Sequence, residues 1–324
     1  MSKPKVLITR EIPSPGIELL KTVCDVEMNT EDRSLTRAEL LNMAADKDAV
    51  LCLLTDKIDA DFFDAAPNIK GVANYAVGFD NMNVPEASSR GILLSNTPDV
   101  LTEATAEMAW ALLFSVARRI VESDLFLRTG QWEGWGPLQF VGTGVSGKTL
   151  GIVGPGRIGT SMARMSKGFN MKVLYCGNRK NNILEKELGG EFVSFNELVK
   201  ESDFISLHVP LRIETKHMFT ASVFKEMKNS SILINTARGA VINEADLLEA
   251  LVSGEIAGAG LDVYEFEPSV TENLKILNNV VLTPHTGSGT IRSRDDMSIM
   301  AAKNILAMLE NKKPPQCINP EIFG

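Results

Sequence analysis

Three side chains with complementary chemistry follow predicted strands in the second half of the sequence. Arg238, Glu267 and His285 each come shortly after a β-rich apolar run. An arginine can hold a carboxylate through two parallel hydrogen bonds and polarise a neighbouring carbonyl. A histidine gives or accepts a proton, and a glutamate beside it stabilises the imidazolium and fixes its tautomer. Together the three residues suit proton-coupled chemistry on one small anionic substrate.

Each of these residues also has a structural interpretation. Arg238 is compatible with helix capping or an interdomain ion pair, Glu267 with a turn before Pro268, and His285 with an ordinary exposed turn. Glu265 is the competing carboxylate, two residues earlier. The pattern Asp-Val-Tyr-Glu-x-Glu-Pro favours Glu267.

The other two histidines are weaker candidates. His208 ends the apolar run 204–207, and we expect a satisfied structural side chain there. His217 lies in a polar segment and is expected at the surface. His285 is therefore the histidine for which the sequence predicts both a strand-end position and a carboxylate partner.

A glycine-rich turn at 154–159 reads Gly-Pro-Gly-Arg-Ile-Gly, between an apolar run and an amphipathic helical pattern. Gly154 allows the tight turn, Gly156 lets a pyrophosphate approach the backbone, and Gly159 lets helix and strand pack closely. The N-terminus of the helix adds N–H donors and partial positive charge. A plain strand–turn–helix corner is the alternative, but the flanking pattern predicts a dinucleotide site.

The end of the next strand bears on which dinucleotide binds. A carboxylate there pairs with the ribose 2′-hydroxyl of NAD. Here the sequence instead reads Asn178-Arg179-Lys180, and an arginine suits a 2′-phosphate. NADPH is the predicted cofactor. NAD remains possible, because the two cations are also compatible with a solvated turn.

The elements that must position these residues alternate between strand and helix over most of the 324 residues. This alternation predicts two α/β domains, each a doubly wound parallel sheet. Between them, one long helix is predicted from Thr102 to about Leu127, and its apolar faces suggest burial or an interface. Ligands bind beyond the carboxyl ends of parallel strands, so the strand ends are the expected site.

Composition excludes several classes of protein. The net charge of −8 disfavours nucleic-acid binding, and no apolar run is long enough for a membrane span. The four cysteines have neither zinc-site nor disulfide-framework spacing, so no metal is expected. With no signal-peptide pattern at the N-terminus, a cytoplasmic protein is expected.

The chain resembles the D-isomer-specific 2-hydroxyacid dehydrogenases, and within them it is most similar to the glyoxylate/hydroxypyruvate reductase group. The resemblance spans essentially the whole chain and is carried by the motifs at 74–81 and 96–98, the glycine turn, and the Arg, Glu and His blocks. It implies a Rossmann cofactor domain, residues 100–287, inserted into a flavodoxin-like substrate domain, residues 1–99 and 288–324.

The resemblance also implies residue roles. Arg238 would bind the substrate, and Glu267 and His285 would relay the proton while the nicotinamide carries the hydride. The implied substrate-binding residues are Leu54, Val77, Gly78 and Trp135. The implied cofactor-binding residues are Thr105, Gly154, Gly156, Arg157, Ile158, Gly159, Asn178, Arg179, Lys180, His208, Val209, Pro210, Thr236, Ala237, Asp262 and Gly287. The substrate would be a small 2-oxo or 2-hydroxy acid such as glyoxylate or hydroxypyruvate.

The expected assembly is a homodimer in which Trp135 reaches the partner's site, although a buried interdomain Trp is the alternative. Two other functions stay open. One is an NAD-dependent dehydrogenase of the D-lactate or phosphoglycerate type. The other is an NAD(H)-regulated binding protein similar to transcriptional corepressors of this family.

Overall fold

The computed structural model describes residues 3–323, which form two α/β units. The first unit comprises the residues up to Leu101 together with those from Gly289 onward, and the second comprises Thr102–Ser288. Each unit has its own parallel sheet. This confirms the predicted fold class, two parallel-sheet domains with one inserted into the other along the sequence.

The first unit contains a five-stranded sheet with the order β2-β1-β3-β4-β5, which is the flavodoxin-like order. Its strands are β1 (Lys5–Ile8), β2 (Asp25–Met28), β3 (Ala49–Cys52), β4 (Gly71–Asn74) and β5 (Leu93–Ser95). Its helices are α1 (Ser14–Lys21), α2 (Arg37–Ala44), α3 (Ala60–Ala65), α4 (Val84–Ser89) and, near the C-terminus, α12 (Ile291–Leu309).

Burial on both faces accounts for the apolar runs in this sheet. Every residue of β3 and β4 is buried, as expected for central parallel strands. Leu7, Val50 and Phe62 belong to one core cluster of this unit, and each is fully buried. Burying a side chain of this size contributes roughly 2–3 kcal/mol to stability.

The second unit contains a seven-stranded parallel sheet. Its strands are β6 (Thr149–Val153), β7 (Lys172–Cys176), β8 (Glu191–Phe192), β9 (Phe204–Leu207), β10 (Ile232–Asn235), β11 (Gly258–Leu261) and β12 (Val280–Leu282). Its helices are α5 (Thr102–Ala117), α6 (Ile120–Arg128), α7 (Arg157–Met165), α8 (Asn182–Leu188), α9 (Phe195–Glu201), α10 (Ala221–Phe224) and α11 (Glu244–Ser253).

The strand order in this sheet is β12-β11-β10-β9-β6-β7-β8. Strand β6 is the first in sequence, and its neighbours are β7 and β9. The order therefore reverses at β6, which gives the topological switch point of a Rossmann sheet. The glycine-rich turn follows β6 directly, so it lies where such sheets bind ligands.

The single long helix predicted over 102–127 is wrong, because the structure breaks it. Helix α5 ends at Ala117, and α6 begins at Ile120. Arg119 lies between them with a left-handed φ of 51°, and its guanidinium pairs with Glu122 at 2.7 Å. The break separates two environments, since nine residues of α5 are buried and none of α6 is. The apolar faces of α5 therefore fill the core of its own unit.

None of the helices among residues 3–323 combines the length and apolar character needed to cross a membrane.

Candidate active site

The strands β10, β11 and β12 bring the three predicted catalytic segments to one edge of the sheet. Asn235 pairs with Leu261, and Leu261 pairs with Leu282, so the three strands end at the same level. The segments that follow them carry Arg238, Glu267 and His285 respectively.

Glu267 and His285 form the pair expected from the sequence. The Oε2 atom of Glu267 lies 2.8 Å from Nδ1 of His285, with the two side chains 36% and 32% exposed. Oε1 of Glu267 accepts the Tyr264 N–H at 3.0 Å. A carboxylate that accepts a hydrogen bond from Nδ1 fixes the tautomer with a proton on Nδ1. The other ring nitrogen, Nε2, is then the one available to a substrate.

The carboxyl of Glu267 is kept ionised. Burial raises its pKa, but the hydrogen bond and charge of His285, the Tyr264 N–H and the Arg238 charge together bring the pKa below its ordinary value. An ionised carboxylate beside an imidazole favours the protonated ring. The pair can therefore store a proton and donate it to a substrate oxygen.

The loop that carries His285 is fastened by Asp262, which is 1% exposed. Oδ1 of Asp262 accepts the Thr283 hydroxyl at 2.6 Å and the Thr286 N–H at 2.8 Å. Oδ2 accepts the Gly287 N–H at 2.7 Å, and the Asp262 carbonyl accepts the His285 N–H at 2.9 Å. This bracing holds His285 at a left-handed φ of 52°. The carboxylate thus has a structural role beyond the cofactor contact predicted for it.

Arg238 sits on a loop that is held by a buried asparagine. The side chain of Asn235 donates to the Arg238 carbonyl at 2.9 Å and accepts the Ala237 N–H at 3.0 Å. The guanidinium donates through Nη1 to the Ala237 carbonyl at 2.8 Å. Its positive charge is one of the causes that lower the pKa of Glu267, which places it within electrostatic reach of the pair.

The glycine-rich turn has the shape that a phosphate site needs. Gly154 has a φ of 93°, and a Cβ there would lie 2.8 Å from the His208 carbonyl carbon. A Cβ built on Gly156 meets no atom within 4 Å, so the backbone is open on that side. Helix α7 begins at Arg157 with no acidic residue in its first turn. These residues fit a dinucleotide pyrophosphate at the helix N-terminus.

The segment after β7 is exposed over Asn178, Arg179 and Lys180. The side chain of Asn181 anchors it by donating to the Pro155 carbonyl at 2.9 Å, on the glycine-rich turn. Lys180 has a carboxylate neighbour, since its Nζ lies 3.6 Å from Glu185. The sequence analysis did not predict this contact, which lowers the positive charge that Lys180 offers to a ligand.

The remaining predicted cofactor residues lie around the same sheet. His208 follows β9, and its Nε2 lies 2.9 Å from the Ser206 hydroxyl and 3.3 Å from Sδ of Met162. Burial lowers the pKa of His208 to about 3, so the ring is neutral and structural. Thr105 is buried, and its Cγ2 would lie 3.4 Å from a Cβ on Gly287. The other members of this group are placed as follows: Ile158 and Gly159 in α7, Val209 and Pro210 after His208, and Thr236 and Ala237 after β10.

The predicted carboxylate-binding turn belongs to the first unit. The carbonyl of Val77 accepts the Asn96 side-chain amide at 2.7 Å, and the Gly78 carbonyl accepts the Asn74 amide at 2.8 Å. Both carbonyl oxygens therefore already accept hydrogen bonds. The contact predicted for a substrate carboxylate uses the N–H groups of this turn, because a carboxylate needs hydrogen-bond donors. Leu54 follows β3 in the same unit and is half-buried.

Several of the exposed large apolar residues lie on α6 and in the segment after it. Trp135 is 84% exposed. Leu125 on α6 is 61% exposed, and Leu138 and Val141 are 86% and 62% exposed.

A second histidine–glutamate pair was missed by the sequence analysis. Nε2 of His217 lies 2.5 Å from Oε1 of Glu265, and the His217 side chain is 34% exposed, so the histidine predicted at the surface also has a carboxylate partner. His217 does not lie at a predicted strand end, so this pair leaves the prediction for His285 unchanged, which combines a strand-end position with a carboxylate partner. The signal in the sequence was the Glu-x-Glu spacing at 265 and 267, which offers a second carboxylate close to Glu267.

Comparison with known proteins agrees with this arrangement. Residues 110–287 match the family model for the D-isomer-specific 2-hydroxyacid dehydrogenase NAD-binding domain. The chain is 49% identical over 325 residues to a glyoxylate reductase from Thermococcus litoralis, covering 99% of this chain and 98% of that protein. It is 48% identical to a glyoxylate reductase from Pyrococcus furiosus, covering 99% and 97% of the two chains.

A solved structure gives the same result at lower identity. It is an NADPH-dependent glyoxylate/hydroxypyruvate reductase from Sinorhizobium meliloti in complex with NADP and malonate. That protein is 31% identical, with a TM-score of 0.86 over 98% of this chain and 97% of that one. Fold, glycine-rich turn and whole-length similarity agree, and the chain belongs to the D-isomer-specific 2-hydroxyacid dehydrogenase family, in the glyoxylate reductase group.

Proposed function

We propose that this chain reduces glyoxylate, hydroxypyruvate or a similar small 2-oxo acid to the 2-hydroxy acid, with NADPH as the preferred cofactor. The observation that carries the proposal is the 2.8 Å contact between His285 and an ionised Glu267, within electrostatic reach of Arg238. Relatives named glyoxylate reductase at 49% and 48% identity support the substrate class.

His285, Glu267 and Arg238 have different roles in this reaction. The nicotinamide, when bound, supplies the hydride that the carbonyl carbon receives. His285 donates the proton that the carbonyl oxygen takes up, and Glu267 stabilises the imidazolium before that transfer. Arg238 holds the substrate carboxylate and polarises the carbonyl. The family resemblance assigns the N–H groups of Val77 and Gly78 to the substrate carboxylate, which supports the first unit as the substrate domain.

The direct test is a panel of 2-oxo acids assayed with both cofactors. We expect the highest kcat/KM with glyoxylate or hydroxypyruvate and NADPH. Preference for pyruvate or a phosphorylated hydroxy acid with NAD would instead support the dehydrogenases of the D-lactate or phosphoglycerate type. No turnover with any 2-oxo acid, despite cofactor binding, would support the NAD(H)-regulated binding protein.

The cofactor preference depends on the segment after β7. Arg179 is exposed there and no carboxylate occupies positions 178–180, which suits a 2′-phosphate better than a 2′-hydroxyl. The Sinorhizobium meliloti enzyme, described as NADPH-dependent, supports the same choice. Arg179→Ala should raise KM for NADPH about tenfold and leave KM for NADH unchanged. Equal effects on the two cofactors would contradict the assignment.

Exposed apolar residues support a homodimer. Trp135, Leu138 and Leu125 are more than half exposed, and large apolar side chains exposed in one stretch of the chain suit an association site. The family resemblance places Trp135 at the partner's active site. Sedimentation should give twice the chain mass of 35.3 kDa, and Trp135→Ala should raise KM for the 2-oxo acid.

A further inference from the structure

The segment that carries Glu267 is also held by the second histidine–glutamate pair. Glu265 and Glu267 are two residues apart on one backbone, and each contacts a histidine. Glu267 contacts His285 at 2.8 Å, and Glu265 contacts His217 at 2.5 Å. The two pairs share a backbone, so a displacement of one carboxylate is transmitted to the other.

Glu265 is tied to the start of α11 by reciprocal hydrogen bonds. Its Oε2 accepts the Glu244 N–H at 3.0 Å, and its own N–H donates to Oε2 of Glu244 at 2.9 Å. Oε1 of Glu244 accepts the Thr271 N–H at 2.8 Å. The helix N-terminus and these N–H donors stabilise two carboxylates that would otherwise repel each other. His217 supplies the remaining partner, to Oε1 of Glu265.

The same pair fixes the loop that carries Arg238. The His217 N–H donates to the Ala240 carbonyl at 2.8 Å, two residues after Arg238. A Cβ on Gly239 would lie only 1.8 Å from the Tyr264 carbonyl carbon, so the two backbones touch there. His217 therefore contacts the Arg238 loop through its backbone and the Glu267 segment through its ring.

We infer that His217 and Glu265 are positioning residues for the proton relay, because their contact sets where Glu267 lies relative to Arg238 and His285. This inference rests on the proposed function of those three residues. Glu265 is 10% exposed, so losing His217 leaves one of its oxygens without a partner in a poorly solvated place. The segment then relaxes, and a displacement of about 1 Å at a catalytic group costs up to about a hundredfold in rate.

Two amide variants of His217 separate the ring contact from a backbone role. Gln places its amide nitrogen near the position of Nε2 and keeps the contact with Glu265, whereas Asn is too short to reach it. His217 has a left-handed φ of 50°, which Asn tolerates better than Gln does. If the ring contact matters, His217→Gln should turn over faster than His217→Asn. If only the backbone conformation matters, the order should be reversed.

The experiment measures kcat and KM for glyoxylate reduction, and Kd for NADPH, in His217→Gln and His217→Asn. We expect His217→Gln to stay within about twofold of the wild type and His217→Asn to lose about tenfold in kcat, with Kd for NADPH unchanged. Lys200→Gln is the control. Nζ of Lys200 lies 2.7 Å from Oε2 of Glu226 in an exposed ion pair of the same unit, and the substitution removes this pair. It should leave kcat unchanged.

Turnover in His217→Asn equal to or above that of His217→Gln would overturn the inference, as would equal losses in both. His285→Ala is measured in parallel to separate the two proposals. If His285→Ala keeps its turnover, the proposed function fails. If His285→Ala loses turnover while both His217 variants match the wild type, only the positioning role fails.

Discussion

The strands β9 and β12 lie in one sheet and both end in a histidine-bearing loop, yet the two loops provide opposite environments. His208, after β9, contacts a serine hydroxyl at 2.9 Å and a methionine sulfur at 3.3 Å. His285, after β12, contacts a carboxylate at 2.8 Å. Burial lowers the pKa of His208 to about 3, so its ring stays neutral at any physiological pH.

A strand-end position by itself therefore does not make a histidine catalytic. The loop after β12 adds an ionised partner, Glu267, and a buried brace, Asp262, whereas the His208 ring contacts a serine hydroxyl and a methionine sulfur. In the proposed reaction His285 is the proton donor, Glu267 is its charged partner, and Asp262 holds its loop in place. The two histidines therefore differ in the side chains that contact each ring.

The largest expected effect is on the ring of His285. His285→Ala removes the proton donor, and we expect kcat for glyoxylate reduction to fall about a thousandfold. The glycine-rich turn follows β6, which three strands separate from β12 in the sheet, so Kd for NADPH should stay within about twofold. Steady-state kinetics and cofactor fluorescence titration measure the two quantities. A variant that retains a tenth of wild-type turnover would show that another group donates the proton.

Replacing the partner carboxylate should have the next largest effect. Glu267→Gln keeps the shape and loses the charge, and we expect kcat to fall about a hundredfold. Reduction needs the protonated imidazole, which the amide stabilises less, so the alkaline limb of kcat/KM should move to lower pH. An unchanged pH profile would mean that Glu267 does not act through His285.

Glu267 also predicts an acid dependence of stability. Its pKa is lowered in the folded chain, so the unfolded chain binds this proton more readily. The stabilisation is complete above the ordinary value of about 4.5 and is lost as the pH falls through the lower folded value. The exposed pair of Lys200 and Glu226 again provides the control, with Glu226→Gln.

Much of the fold could be predicted because apolar runs and periodicity depend on burial along the chain. Central strands such as β4 and β9 are buried on both faces and read as continuous apolar runs. The edge strands β2 and β8 were not predicted, since their exposed residues, such as Glu27 and Glu191, carry no such signal. The break at Arg119 was missed because its cause is a local left-handed turn and an ion pair.

The site shows a similar division. The Glu267–His285 contact follows from residue types at adjacent strand ends, so it could be predicted. The pairing of His217 with Glu265 joins positions 48 residues apart, outside the strand ends that the pattern identifies. The bracing role of Asp262 depends on loop N–H groups, and backbone donors are the same in every sequence. Sequence patterns indicate which side chains carry charge and give little information on the backbone groups that hold them.

The brace itself predicts an intermediate effect. Asp262→Asn keeps the volume but turns one oxygen, which accepts from Thr286 or Gly287, into a donor. The mismatch should cost about 2 kcal/mol of unfolding free energy and lower kcat about tenfold, because the His285 loop loosens. Urea unfolding and steady-state kinetics measure these changes. Loss of NADPH affinity alone, with kcat unchanged at saturation, would instead favour the cofactor contact as the main role of Asp262.

The smallest effect on turnover, and the clearest contrast with His285, is expected at His208. His208→Gln keeps a polar group near the Ser206 hydroxyl, and kcat should be unchanged. Stability should differ with pH, because the folded ring resists protonation while the unfolded ring titrates near 6.5. The unfolded state therefore binds the extra proton, and the wild type should lose about 2 kcal/mol between pH 7.5 and 5 that His208→Gln retains. Urea unfolding at the two pH values measures the difference.

His285→Gln is the matched comparison, since it keeps His208 and should show the wild-type acid loss. If His285→Gln instead keeps its unfolding free energy at pH 5 and His208→Gln loses it, the acid loss comes from His285 and not from His208.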